Sequence, residues 1–279
     1  RCWFITGSQF LYGEETIKQV EENSKIIVDG LKGLPFPVEY KLTAKTEIEI
    51  EKIVKEANYD DECAGIITFC HTFSPSKMWI NGLALLQKPW LHFHTQFNET
   101  IPNDEIDMDY MNLHQSAHGD REHGFIGARL RMPRSVVAGY WKAPEVLAKI
   151  ADWQRAAVGA MFSKSLKIVR FGDNMREVAV TEGDKVEAQL IMGWQVNTFA
   201  VGDLVEEMNA VTDAEIDALM AEYAQIYDFD EKDTEAIRYQ AREDICIEKI
   251  LKREGAMAGS NTFQDLHGMR QLPGLAAQH

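Results

Sequence analysis

At 279 residues the chain is long enough for two domains of roughly 150 residues, each with its own core. Its 45% hydrophobic and 26% charged residues are those of a globular protein, which excludes disorder and low complexity, and its length excludes a disulfide-stapled mini-protein. The formal charge of −15, from 29 basic against 44 acidic residues, argues against nucleic acid and anionic lipid as partners.

In the first half, short apolar runs alternate with amphipathic stretches, the pattern of a parallel sheet covered by helices. Strands are predicted at residues 2–6, 38–42, 64–70, 90–94 and 136–139. Between them, residues 14–31 place Ile17, Val20, Ile26, Ile27 and Leu31 near helical spacing, and residues 48–54 and 78–86 do likewise. A long helix from Pro144 through Trp153 and Val158 closes the first domain near Phe162.

A second unit opens with a strand at 166–171, followed by a strand at 177–181, a Gly-Asp turn, a helix at 185–192 and a strand at 194–200. Helices follow near 203–209 and 213–227, the latter opened by a capping box from Thr212 to Glu215, and another spans 235–253. The expected fold class is α/β, with two doubly wound, Rossmann-like parallel-sheet domains at 1–165 and 166–279. Twelve acidic residues between Asp203 and Glu235 face the single Lys232, which reads as a solvated helix surface.

The longest uncharged stretch, residues 188–202, is 15 residues long and contains Gln189, Gln195 and Asn197, too short and too polar to span a bilayer. The N-terminus lacks a secretory pattern, and Cys2, Cys63, Cys70 and Cys246 show neither CxxC nor zinc-ligand spacing, so a reduced, cytoplasmic protein is expected. Arg1 leads at once into an apolar strand and residues 274–279 end on an apolar run, the pattern expected of a fragment.

Ligands of open parallel sheets bind beyond the carboxyl ends of the strands. The residues there are Gly7-Ser8-Gln9-Phe10-Leu11-Tyr12-Gly13, His71-Thr72-Phe73-Ser74-Pro75, Thr95-Gln96-Phe97-Asn98 and Gly172-Asp173-Asn174-Met175-Arg176. Amides, hydroxyls and rings suit a polyhydroxylated ligand better than a phosphate, which wants a glycine nest and cations. The spacing of Gly7 and Gly13 fits neither GxGxxG nor a P-loop, and an ordinary glycine-bounded turn accounts for both. His114 and His118 stand at i, i+4, as on one helical face, but Gln115 replaces the glutamate that a zinc protease needs. They serve equally as ligand contacts or as polar residues near a helix start. His92 and His94 share a strand face that suits a metal, although in so apolar a strand a hydrogen-bonded core histidine is favoured.

Those loops, together with Met78-Trp79-Ile80-Asn81-Gly82, Ile106-Asp107-Met108-Asp109, the run from Phe171 to Thr181, Thr262-Phe263, Asp265-Leu266-His267-Gly268 and Gln271-Leu272-Pro273-Gly274-Leu275, resemble L-arabinose isomerases along the whole chain in order. The resemblance implies the L-fucose isomerase fold and a homo-oligomer in which manganese and two glutamates interconvert L-arabinose and L-ribulose, or D-galactose and D-tagatose, through an ene-diol. It implies a sugar site lined by Gln9, Leu11, Tyr12, Met175 and Phe263, with Phe73, Gln115 and His118 reaching a neighbouring subunit's site. It also implies that the metal ligands and catalytic glutamates lie beyond the segment Gln271-Leu272-Pro273-Gly274-Leu275. No catalytic or metal-ligating residue is then expected in this chain, which alone is expected to be inactive. The alternative is a sugar-binding or oligomerisation module without catalysis.

Overall fold

Along β1 (Cys2–Gly7), Cys2 and Phe4 enter one apolar cluster while Trp3 and Ile5 enter another, and all four are buried. A strand covered on both faces reads as a continuous apolar run because successive side chains point to opposite sides. The computed structural model describes residues 1–104 and 106–279, and its chain divides into two units, Arg1–Met161 and Phe162–His279.

The first unit continues through α1 (Gly13–Gly30), β2 (Val38–Ala44), α2 (Glu47–Tyr59), β3 (Gly65–Cys70), α3 (Ile80–Leu85), β4 (Trp90–His94), α4 (Met108–Leu113), α5 (Ser116–Arg129), β5 (Ser135–Ala138) and α6 (Pro144–Ser163). Its sheet has the order β2-β1-β3-β4-β5, and every neighbouring pair is parallel. On one face Phe4, Ile67, Phe69 and Leu91 pack with Ile27 of α1, Leu31 at its C-cap, and Ile150 and Trp153 of α6. On the other, Trp3, Ile5, Ile66 and Trp90 meet Ile50, Val54 and Ala57 of α2 and Leu83 of α3. The helix expected at 78–86 divides into a 3₁₀ turn, Ser76–Trp79, and the shorter α3.

The second unit comprises β6 (Lys167–Phe171), α7 (Lys185–Met192), β7 (Gln195–Phe199), α8 (Val201–Ala210), α9 (Asp213–Ile226), α10 (Thr234–Glu254), β8 (Ala258–Asn261) and α11 (Gly274–Gln278). The parallel sheet runs β7-β6-β8. Val169 and Phe171 pack under Leu204 and Met208 of α8, Ile216 and Tyr223 of α9, and Cys246 and Ile250 of α10. The capping box opens α9 as expected: Thr212 Oγ1 accepts from the Glu215 amide, and Glu215 accepts from the Thr212 amide at 2.8 Å.

The strand expected at 177–181 does not form; that segment is a turn followed by a 3₁₀ turn, Ala179–Thr181. Thr181 Oγ1 donates to Val178 O at 2.8 Å and accepts from the Met175 amide at 3.0 Å, satisfying backbone groups that a ladder would have paired. Val180, inside that expected strand, is 94% exposed. Strand β8 was not anticipated, because Ala258-Gly259-Ser260-Asn261 carries no β-branched or aromatic residue.

Gln240 of α10 ties residues 271–276 to the helix, its amide nitrogen meeting Gln271 Oε1 and Leu272 O at 2.9 Å and its Oε1 accepting from the Leu275 amide at 2.9 Å. Gln240 also donates to Glu243 Oε2, and burial pushes the Glu243 carboxyl up to about 7. Above the ordinary glutamate range the unfolded chain has lost this proton while the native chain keeps it. Stability from this group is therefore fully present at low pH, declines as pH rises toward 7, and levels off beyond. Because buried neutral histidines such as His71 contribute with the opposite sign in this window, the test is a difference: in thermal melts at constant ionic strength from pH 5 to pH 7.5, Glu243→Gln is expected to lack the downward contribution to Tm seen in the unaltered chain, and equal slopes would contradict this assignment.

Candidate functional site

The order β2-β1-β3 means that the chain leaves β1 in one direction and returns on its other side, opening a crevice at their carboxyl ends. Two loops meet there. Ser8 Oγ and Thr72 Oγ1 are hydrogen-bonded at 2.8 Å, and Gln9 Nε2 donates to Phe73 O at 3.2 Å. Gly7 permits this approach, since a Cβ there would lie 2.5 Å from Ser74 Oγ and 3.0 Å from the Trp79 ring. The Trp79 indole in turn donates to Ser74 Oγ at 3.0 Å from a fully buried position.

Beyond the crevice Phe10-Leu11-Tyr12 form a 3₁₀ turn that leaves Leu11 81% exposed and Tyr12 half-buried. Phe73 stacks on His118 with ring centroids 4.4 Å apart. The structure thus joins Gln9 to the Phe73 loop and Phe73 to His118. Gln115 sits at the N-cap of α5, its amide donating to Asn112 Oδ1 at 3.0 Å.

His114 and His118 do not share a helix face. His114 is the C-cap of α4, where its ring packs at a tilt against Tyr110, while His118 lies in the first turn of α5. The chain breaks between them because His71 takes the Leu113 carbonyl, its Nδ1 donating at 2.9 Å. His71 Nε2 accepts from Asn23 Nδ2 of α1 at 2.9 Å, and burial pulls the ring down to about 4, so it remains a neutral strut. This strut links β3, α1 and the end of α4, setting where α5 begins.

The second unit repeats the arrangement at β6 and β8. Met175 lies on the loop after β6 and Phe263 on the loop after β8, where Phe263 is 66% exposed. The Arg176 amide donates to Gln264 Oε1 at 2.7 Å, and the Arg176 guanidinium spans the Asp265 carboxylate at 2.6 and 3.2 Å. Asp173 is held below the usual carboxylate range by the Asn174 amide and then by Lys185 and Arg170.

A cleft of about 610 Å³ opens beyond β4 and β5, lined by His94, Gln96, Ser116, Asp120 and Tyr140. Behind it His92 is a buried, hydrogen-bonded histidine, as favoured from the sequence, with Thr68 and Asp120 as partners. A cavity of about 710 Å³ in the second unit lies among α9, α10 and β8, and none of the expected sugar-site residues lines it. Sequence reasoning missed Asn23, Asp120, His123 and the Arg176–Asp265 pair. Asn23 had a signal, a polar residue on the apolar stripe of α1, whereas Asp120 and His123 acquire partners only when α5 docks on the sheet.

Among the described residues, no helix is long and apolar enough to cross a membrane. The L-arabinose isomerase N-terminal domain matches residues 1–165, and the L-arabinose isomerase central domain matches residues 167–279. The chain is 55% identical over 280 residues to L-arabinose isomerase 1 of Bacillus licheniformis, a match covering 99% of this chain and 57% of that protein. It is 54% identical over 281 residues to the L-arabinose isomerase of Thermotoga petrophila and 53% over 285 residues to that of Geobacillus stearothermophilus, again over 99% of this chain and 57% and 58% of those proteins. The chain therefore spans somewhat more than half the length of these relatives, and with both of its sheets falling in matched regions it belongs to the L-arabinose isomerase family.

Proposed function

We propose that the protein to which this chain belongs isomerises L-arabinose to L-ribulose, and D-galactose to D-tagatose, in the cytoplasm as a manganese-dependent homo-oligomer. In this reading residues 1–165 are its N-terminal domain and 166–279 part of its central domain. Gln9, Leu11, Tyr12, Met175 and Phe263 line the sugar site, while Phe73, Gln115 and His118 serve the site of a neighbouring subunit. Nucleic acid and membrane have no part in it.

The observation that carries the reading is the stitched crevice between β1 and β3. A family member presents there an amide, a phenol and a stacked Phe73–His118 pair, groups that bind sugar hydroxyls and pack against the apolar face of a pyranose. These groups bind and orient. None is a carboxylate, the donor that manganese favours, so they do not fit that metal. The same fact favours the second reading for the 279-residue chain taken alone, which is a sugar-binding or assembly module without turnover.

The test is kinetic, on the protein carrying this sequence. Gln9→Ala and Met175→Ala are expected to raise KM for L-arabinose about tenfold, the loss of roughly one hydrogen bond or one packed side chain. Phe73→Ala is expected to lower activity and to weaken subunit association measured by sedimentation. The 279-residue chain by itself is expected to bind sugar weakly and to form no ketose with added manganese. Unchanged KM in the first two variants, or turnover by the isolated chain that vanishes in Asp173→Ala, would place the site elsewhere.

A further inference from the structure

Cys70 at the end of β3, His92 in β4 and Asp120 in α5 are buried, and a ligand atom of each lies within 4.8 Å of those of the other two. Neither the sugar-binding reading nor the family's chemistry uses them. We propose that these three side chains bind a divalent ion of the zinc class, with a rotation of the neighbouring His94 supplying the fourth donor.

Four features of the cluster support this assignment. The first is charge: a Cys70 thiolate and an Asp120 carboxylate together neutralise a dication, so the loaded site carries no net charge into a buried place. The second is the set of donors. A thiolate beside imidazole and carboxylate suits zinc or cobalt and not manganese, which prefers oxygen donors. The third is the shell behind His92. Its Nδ1 meets Thr68 Oγ1 at 2.7 Å, Thr68 meets His123 Nε2 at 3.2 Å, and His123 Nδ1 faces Ser76 Oγ at 3.5 Å. This chain of groups runs in either direction. With His92 protonated at Nε2, the ring donates to Asp120 Oδ1 at 2.8 Å. With the proton on Nδ1, His92 donates to Thr68, Thr68 to His123, and His123 to Ser76, which bares Nε2 for an ion and fixes the ring by its other nitrogen.

The fourth feature is His94. Its Nδ1 lies 3.9 Å from Asp120 Oδ2, its ring centroid is 4.5 Å from that of His92, and its Nε2 is buried without a partner among the described residues. His94 and Asp120 also line the 610 Å³ cleft, which supplies a path of entry. On loading, the Cys70 thiol gives its proton to solvent, and so does the Asp120 carboxyl wherever burial has left it protonated in the empty site, so affinity falls as pH falls. The ion clamps α5, the helix that carries His118, to β3 and β4.

Metal-stripped protein titrated with cobalt(II) tests the assignment without any substitution. One equivalent is expected to produce the visible bands of a tetrahedral site together with a near-ultraviolet thiolate-to-cobalt charge-transfer band. Zinc is expected to abolish both and to raise Tm. Cys70→Ser should remove the charge-transfer band, Cys246→Ser should leave it, and His92→Gln and Asp120→Asn should each weaken binding at least tenfold, with folding checked by circular dichroism. Absence of the charge-transfer band in the unaltered protein overturns the proposal whatever the variants do, and so does a band that survives Cys70→Ser.

Discussion

Gly172→Ala is expected to destabilise the second unit by about 2–5 kcal/mol, the combined cost of a left-handed alanine and a forced steric contact. Gly172 follows β6 with φ of +79°, and a Cβ there would lie 2.2 Å from Thr262 Cγ2 on the loop after β8. Its amide also donates to Phe199 O at 2.8 Å, so the residue cannot swing away without breaking the end of the β6–β7 ladder. Thr262 is itself tied to β6 through its amide, which donates to Phe171 O at 2.9 Å. Relief therefore has to come from separating the two loops that present Met175 and Phe263. Urea denaturation followed by circular dichroism measures the loss. Gly202→Ala in the first turn of α8, where nothing lies within 4 Å of the added methyl, provides the contrast and is expected to be neutral or to stabilise by at most about 0.5 kcal/mol, the low end of the helix-interior range. Equal effects at the two positions would refute the steric argument.

Trp79→Ala is expected to cost about 3–5 kcal/mol in the first unit, the range for truncating a buried aromatic side chain. Trp79 is fully buried, packs edge-on against His123 with centroids 4.9 Å apart, and donates to Ser74 Oγ. It fills the floor beneath the crevice where Gly7 and Ser74 meet. Truncation leaves a cavity there and frees the Ser74 loop, so the register between Gln9 and Phe73 loosens and sugar affinity falls along with stability. Trp79→Phe keeps most of the volume but loses the indole hydrogen bond, for a cost of about 1 kcal/mol from that bond. A Trp79→Ala protein with unaltered stability would show that the crevice does not rest on this side chain.

Several features were legible before any coordinate. The strands that form β1, β3 and β4 are apolar runs of five or six residues flanked by polar loops, and α7 and α9 are delimited by Asp184 and by the Thr212–Glu215 capping box. These signals are local: a capping side chain reaches two or three residues, and a run buried on both faces announces itself in composition. The loops carrying Gln9, Phe73 and Met175 could be placed at strand ends for the same reason.

What residues 177–181 become was not legible, because Val178 and Val180 alternate as a strand would, and only the bonds of Thr181 to Met175 and Val178 show the backbone satisfied within the loop. The separation of His114 from His118 had the same origin. Their spacing suits one helix, but His71, more than forty residues earlier, captures the Leu113 carbonyl and ends α4 there. β8 forms from residues of poor strand propensity because β6 offers a free edge with matching register, Ile168 to Ala258 through Phe171 to Asn261.

The sequence by itself determined the α/β class, the alternation of strands and helices, the family and the chemical character of the strand-end loops, since each depends on patterns within a few residues or on motifs in order. The tertiary structure decided which loops meet and which polar groups are buried together. Gln9 reaches Phe73, Asn23 reaches His71, and Cys70, His92 and Asp120 converge across β3, β4 and α5. Such contacts join residues up to 64 positions apart, and their partners are chosen by strand order and helix docking, which no local pattern encodes.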